Sequence, residues 1–256
     1  MKITTFALAA FTAILTTTSA IKAADAPTPL KQGDRIVFLG DSITAGAVKP
    51  QGFVTLIRAS IDAAHKDLGI ETIGAGVSGN KVPALQARLD RDVISKKPTI
   101  VFIYIGINDV WHWRKNKEGV IAGGTTKEAF EAGLKDIIAK INAAGARVIL
   151  CTASVIGEKK DGSNERDAML DEYCEISRKV AADTKSQLVD LRKAFLDHLK
   201  ANNPDNLPKG ILTGDGVHLN PQGNKLVAGE MCAALGIKLV EAPAAAPAAP
   251  APAPAK

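Results

Sequence analysis

Between residues 34 and 240, short β-rich apolar runs alternate with longer stretches whose apolar positions recur every three or four residues. That alternation is the pattern of a parallel sheet covered by helices on both faces, an α/β fold of three layers, α/β/α. Five strands can be placed, at 35–39, 70–73, 99–105, 147–151 and 187–189. In the third, Ile100, Val101, Phe102, Ile103, Tyr104 and Ile105 follow one another without a polar break, so it is expected at the centre of the sheet, buried on both faces.

The helical stretches have clear faces. Phe53, Leu56, Ile57, Ile61, Ala64 and Leu68 share one stripe. Phe130, Leu134, Ile137, Ile138 and Ile141 share another, after a capping box from Thr125 to Glu128 and before a stop at Gly145. Met169, Leu170, Tyr173, Ile176 and Val180 form a third, and a last helix is expected to open with Asn220 as N-cap and Pro221 at its first position. These stripes are core. With no internal repeat and no interior linker, residues 30–240 read as one domain.

Both ends fall outside the pattern. Residues 1–26 combine Lys2, an apolar stretch from Phe6 to Leu15 and a small-residue Thr18-Ser19-Ala20 signature, which reads as an export signal and implies a secreted or periplasmic protein. A buried N-terminal helix is the other reading, and the apolar run is too short to span a bilayer, so stable membrane insertion is not expected. Residues 241–256, almost pure Ala and Pro, cannot bury a core and read as a tail or spacer.

Composition narrows the class further. Of 256 residues, 46% are hydrophobic and 23% charged, which excludes disorder, a collagen-like repeat and a polytopic membrane protein. The formal charge of +5 falls to +4 once Lys2, Lys22 and Asp25 of the leader are set aside. No run of five like charges occurs, so a nucleic-acid groove is not expected. Three cysteines, Cys151, Cys174 and Cys232, allow at most one disulfide, and with no C-x-x-C pair they read as buried free thiols rather than zinc ligands.

In an open parallel sheet, ligands bind beyond the carboxyl ends of the strands, so the segments after each strand are where chemistry is expected. The first strand runs into Gly40-Asp41-Ser42-Ile43-Thr44. A serine there can act as a nucleophile, and it can equally cap a helix or turn. The second strand is followed by Gly74-Ala75-Gly76-Val77-Ser78-Gly79-Asn80, a formal G-x-G-x-x-G. The dinucleotide fingerprint also needs an acidic residue at the end of the next strand, and that strand ends Tyr104-Ile105-Gly106. Gly79 reads instead as a bare loop amide able to approach a ligand, or as a plain tight turn. After the third strand, Gly106-Ile107-Asn108-Asp109 offers an amide donor for an oxyanion, or a turn bonded to its own backbone. Finally, Asp215-Gly216-Val217-His218 sets a carboxylate three positions from an imidazole, as a catalytic or a structural pair.

Together these segments supply a nucleophile, a base with an orienting acid, and donors for negative charge. In that combination the chain resembles the SGNH hydrolases, the GDSL-type esterases and acylhydrolases, from Asp34 to Leu235. The resemblance implies a flavodoxin-like fold on a five-stranded parallel sheet. It implies Ser42 as nucleophile, His218 as base, Asp215 as its acidic partner, and an oxyanion hole of Ser42, Gly79 and Asn108. Ile43 stands where the name-giving motif has Leu, a swap of similar volume. No cofactor or metal is implied: the four histidines lack an H-E-x-x-H, and the absence of G-x-S-x-G disfavours the other large α/β esterase fold.

An acyl-enzyme mechanism is then expected, with the imidazole taking the serine proton and later activating water. An imidazole base implies activity that falls with acidification through roughly 6.5. The resemblance allows carbohydrate esters, lipid esters and acyl thioesters as substrates. Short acyl groups, acetyl above all, are favoured because no long apolar insertion or lid helix is visible. A non-catalytic carbohydrate-binding module with a relic site is the contrasting reading, opposed by the complete Ser, Gly, Asn and His set.

Trp111-His112-Trp113 holds both tryptophans of the chain directly after the Asn108 motif. The segment 110–124 reads as a substrate wall, with an indole on a sugar or over an acyl group, or as the hydrophobic anchor of a long loop. Asp41, beside Ser42, is a further candidate substrate contact. His65 and His198 lie within amphipathic helices and read as packed or partly exposed side chains.

Overall fold

The computed structural model describes residues 27–115, 117 and 121–240, so the expected leader and tail lie outside the described residues. Along the chain run β1 (Arg35–Gly40), α1 (Ser42–Gly46), α2 (Phe53–His65), β2 (Glu71–Gly76), α3 (Val82–Asp92), β3 (Ile100–Tyr104) and α4 (Ile107–Trp111). Then follow β4 (Arg114–Lys115), β5 (Ile121–Ala122), α5 (Lys127–Ala143), β6 (Arg147–Cys151), α6 (Asp167–Thr184), β7 (Gln187–Val189), α7 (Leu191–Asn202) and α8 (Pro221–Ala234).

Five strands form one sheet in the order β2-β1-β3-β6-β7, every neighbouring pair parallel. This is the flavodoxin-like order, and its switch point lies between β1 and β3. All five residues of β3 are buried, as expected of the central strand. α8 packs on α2 and α7, and α5 packs on α3 and α6, giving the two helical layers. In the core, Phe38 of β1 stacks on Phe102 of β3 with centroids 5.1 Å apart, and Phe53 at the start of α2 meets Phe38 edge-on at 6.2 Å. The three cysteines are buried and unpaired.

Several local expectations shift. β2 starts one residue later and ends three residues later than expected, so Gly74 and Gly76 are strand residues rather than loop residues. Their glycine character comes from packing: a Cβ on Gly76 would lie 2.1 Å from the Ala45 nitrogen, and one on Gly74 would lie 2.4 Å from a Val48 methyl. The short helix carrying Ser42 therefore lies directly on β2, and the glycine spacing records that contact. The helix after β5 is capped by Thr126, which accepts from Ala129 N, not by Thr125. α2 ends at His65, followed by a 3₁₀ turn over Lys66–Leu68 and Gly69 at φ +59°. The antiparallel ribbon of β4 and β5 was not expected; two residues per strand carry no readable alternation.

Candidate active site

Ser42 stands at the first position of α1, just beyond the C-terminal end of β1. Asp41, not the serine, caps that helix, its Oδ1 accepting from Ile43 N at 2.9 Å. The Ser42 hydroxyl is thereby left for His218, whose Nε2 lies 2.9 Å from Oγ. His218 Nδ1 is in turn 2.7 Å from Asp215 Oδ2.

The Asp215 carboxylate also organises its own turn, Oδ1 accepting from Val217 N at 2.9 Å and His218 N at 2.8 Å. Burial pushes this carboxyl up, but the bond from the His218 ring and those from the two backbone N–H groups outweigh it and hold it at about 2. It is therefore ionised at any pH where an imidazole is neutral. An anion there selects the Nδ1–H tautomer and leaves Nε2 free to accept the serine proton.

Asn108 is the second residue of α4, reached from β3 through Gly106 at φ +129°, a region that favours glycine. Its Nδ2 donates to Asn80 O at 3.1 Å and to Asp41 Oδ2 at 3.3 Å. Segments following β1, β2 and β3 thus meet at one amide. Gly79 has φ +75° with open space where a Cβ would sit, so backbone conformation alone requires the glycine.

Buried Arg88 of α3 braces this junction. Its Nη2 donates to Gly40 O at 2.8 Å, Nε to Asn80 Oδ1 at 2.7 Å, and Nη1 to Asp92 at 3.0 Å. The loop bearing Gly79 is thereby tied to the end of the serine strand. Neither Asn80 nor Arg88 stood out in the sequence, because an arginine on a helix is ordinary until its partners are known.

Asp41 requires a correction: it is 2% exposed and faces Ile43 and Asn108, not a substrate. Burial, reinforced by nearby Asp109 and opposed by the Ile43 amide, pushes its carboxyl up to about 7. Asp109 is also buried, its Oδ1 accepting from Val82 N at 3.1 Å, while Oδ2 has no hydrogen-bond partner among the described residues. Burial pushes Asp109 up to about 6.

A cavity of about 500 Å³ opens over Ser42 and His218, with Lys49, Gln51, Ser78 and Asn224 in its wall. The Trp111 indole meets the His218 ring edge-on with centroids 6.3 Å apart. Neither Trp111 nor Trp113 lines that cavity, and Trp113 is turned elsewhere: its Nε1 donates to Tyr173 Oη at 3.3 Å, and a Cβ on Gly124 would fall 2.3 Å from that nitrogen. That indole anchors the loop. His112 is half-buried, its basicity lowered by burial and then by the charges of Lys81 and Arg114. Residues 116 and 118–120 of the expected wall lie outside the described residues. His65 is exposed at the end of α2 and His198 lies on α7, and neither lines the cavity over Ser42.

The chain is similar to several known proteins. An acetylxylan esterase of Geobacillus stearothermophilus is 31% identical over 227 residues, covering 81% of this chain and 96% of that protein. The crystal structure of the acetyl xylan esterase AlAXEase superposes with a TM-score of 0.72 at 42% identity, covering 78% of this chain and 99% of that one. The structure of Axe2, an acetylxylan esterase of Geobacillus stearothermophilus, gives 0.71 at 28% identity, with 84% and 100% covered. The model of the GDSL-like lipase/acylhydrolase family matches residues 38–226, and the chain belongs to that family, the SGNH hydrolases, as a carboxylic ester hydrolase.

Proposed function

We propose that the enzyme removes acetyl groups from carbohydrates through an acyl-enzyme on Ser42. The observation that carries this reading is the relay of 2.9 Å from Ser42 Oγ to His218 Nε2 and 2.7 Å from His218 Nδ1 to Asp215. His218 takes the serine proton as Oγ attacks the ester carbonyl, and the Asp215 anion stabilises the resulting imidazolium. The protonated ring then returns the proton to the departing sugar oxygen. Water, activated by the same ring, releases acetate.

The oxyanion is received by the Ser42 and Gly79 N–H groups and by Asn108 Nδ2. At rest Asn108 is engaged by Asp41 and Asn80, and its longer bond, 3.3 Å to Asp41, is the one a developing oxyanion takes over. The acetylxylan relatives support a carbohydrate ester as substrate. Polar groups of Lys49, Gln51, Ser78 and Asn224 around the cavity suit sugar hydroxyls better than a fatty chain, and Trp111 offers an apolar face beside the base. Export, with residues 1–26 as its signal, would place the enzyme where polymeric substrate is found. No described helix is long and apolar enough to cross a membrane.

Ser42→Ala is expected to abolish hydrolysis of p-nitrophenyl acetate and labelling by a fluorophosphonate probe, with an unchanged circular dichroism spectrum. A panel of acetylated xylo-oligosaccharides and p-nitrophenyl esters from acetate to decanoate tests the substrate. Full turnover by the serine variant overturns the mechanism, and activity rising with acyl length overturns the acetyl preference.

A further inference from the structure

The loop 208–220 that delivers Asp215 and His218 has little regular structure of its own: one isolated bridge, Thr213 to Leu219, and Gly214 N donating to His218 O at 2.9 Å. Its backbone donors must nonetheless be satisfied where the loop is buried. Three successive ones, the N–H groups of Ile211, Leu212 and Thr213, converge on one side chain, Glu158, in the segment after β6. Glu158 is fully buried, and no cation lies within ion-pair distance of it among the described residues. Its Oε1 accepts from Leu212 N at 2.7 Å, Thr213 N at 2.5 Å and Thr213 Oγ1 at 2.7 Å. Its Oε2 accepts from Ile211 N at 2.7 Å.

A carboxylate without a counter-ion is costly to bury unless its lone pairs are filled, and here four donors from three successive residues fill them. The loop and the anion therefore stabilise each other in one conformation. The constraint passes onward: Thr213 Oγ1, donating to Glu158, also accepts from Gly216 N at 3.0 Å. Gly157 N donates to Gly216 O at 2.7 Å, Glu158 N to Pro208 O at 2.9 Å, and Asn203 Nδ2 to Glu158 O at 2.8 Å. Gly216 sits between Asp215 and Val217, and both of its backbone polar groups are referred to residues 157 and 158, the N–H through Thr213 Oγ1 and the C=O directly.

We propose that Glu158 is a positioning residue: its carboxylate is the template on which residues 211–216 are wound so that the imidazole arrives in line with Ser42. It touches neither substrate nor ring and acts through Thr213 and Gly216. The proposal rests on the reading of Ser42, His218 and Asp215 given above.

Glu158→Gln keeps the volume but turns an NH₂ group toward at least one of the four donors. The expected result is a fall in kcat on p-nitrophenyl acetate of about 100-fold, the scale on which a 1 Å misplacement acts, with KM within about twofold. The low-field proton NMR resonance of His218 Nδ1–H, bonded to Asp215, should shift or broaden, while the far-ultraviolet circular dichroism is unchanged. Thr213→Val, which removes only the hydroxyl relay, should show the same pattern more weakly, a loss of about tenfold. A folded Glu158→Gln enzyme with wild-type kcat and an unmoved Nδ1–H resonance overturns the proposal. If that variant does not fold, the same two results for Thr213→Val overturn it. Should the catalytic reading itself be wrong, Ser42→Ala and His218→Ala would retain turnover while the resonance still responded to Glu158→Gln, which separates the two failures.

Discussion

Replacing Asp41 by asparagine should weaken catalysis while making the fold less sensitive to alkaline pH. The Asp41 carboxyl, ordinarily near 3.8, is pushed up to about 7 by burial and by Asp109. At about 1.4 kcal/mol per pH unit, ionising it in the folded protein costs on the order of 4 kcal/mol more than in the unfolded chain. Because the folded value lies above the unfolded one, the stability this group confers is fully present below about pH 4 and is lost as pH rises through about 7. From pH 5 to pH 8 the wild type should therefore lose roughly 2–3 kcal/mol through this group alone.

Asparagine removes that titration but has one oxygen where the fold uses two, toward Ile43 N and Asn108 Nδ2. One of those donors then faces an NH₂ group, at a pH-independent cost of about 1–3 kcal/mol. Urea unfolding at pH 5, 6, 7 and 8 should find Asp41→Asn less stable than wild type at pH 5, with the gap closed or reversed at pH 8. At pH 7, kcat should fall roughly tenfold, a fraction of what a whole oxyanion donor supplies. A stability difference that stays constant from pH 5 to pH 8 would refute the reasoning, since the buried carboxyl would then carry no raised titration.

Asn108→Ala should lower kcat roughly 100-fold or more with little change in KM, because its amide is engaged by the transition state more than by the ground state; a KM effect alone would remove it from the oxyanion hole. Trp111→Ala should raise KM on acetylated xylo-oligosaccharides more than on p-nitrophenyl acetate. Trp113→Ala should lower the melting temperature instead, since its indole is spent on Tyr173 and Gly124.

The parts of the site legible in the sequence are those whose roles are local. Ser42 and Asn108 were readable because each follows a strand whose apolar run is unmistakable, and Asp215 and His218 because they lie three positions apart. Chain connectivity alone keeps such pairs close. The hidden parts are partners brought together by packing. Glu158 and Ile211 are 53 residues apart, and Arg88 is 48 from Gly40, so no spacing rule connects them. Gly74 and Gly76 resembled a nucleotide loop because glycine is required both where backbone turns and where a helix lies against a strand. Only the placement of α1 on β2 decides which.

By itself the sequence determined the layers, the central place of β3 and the residue types beyond each strand, because burial on two faces and the periods of helix and strand are properties of short segments. Tertiary structure alone decided that Asp41 faces inward and Trp113 away from the cavity, and that a buried glutamate holds the loop of the imidazole. Side-chain direction and hydrogen-bond partnership depend on which distant segments share the same volume, and that is settled only when the sheet has closed its order.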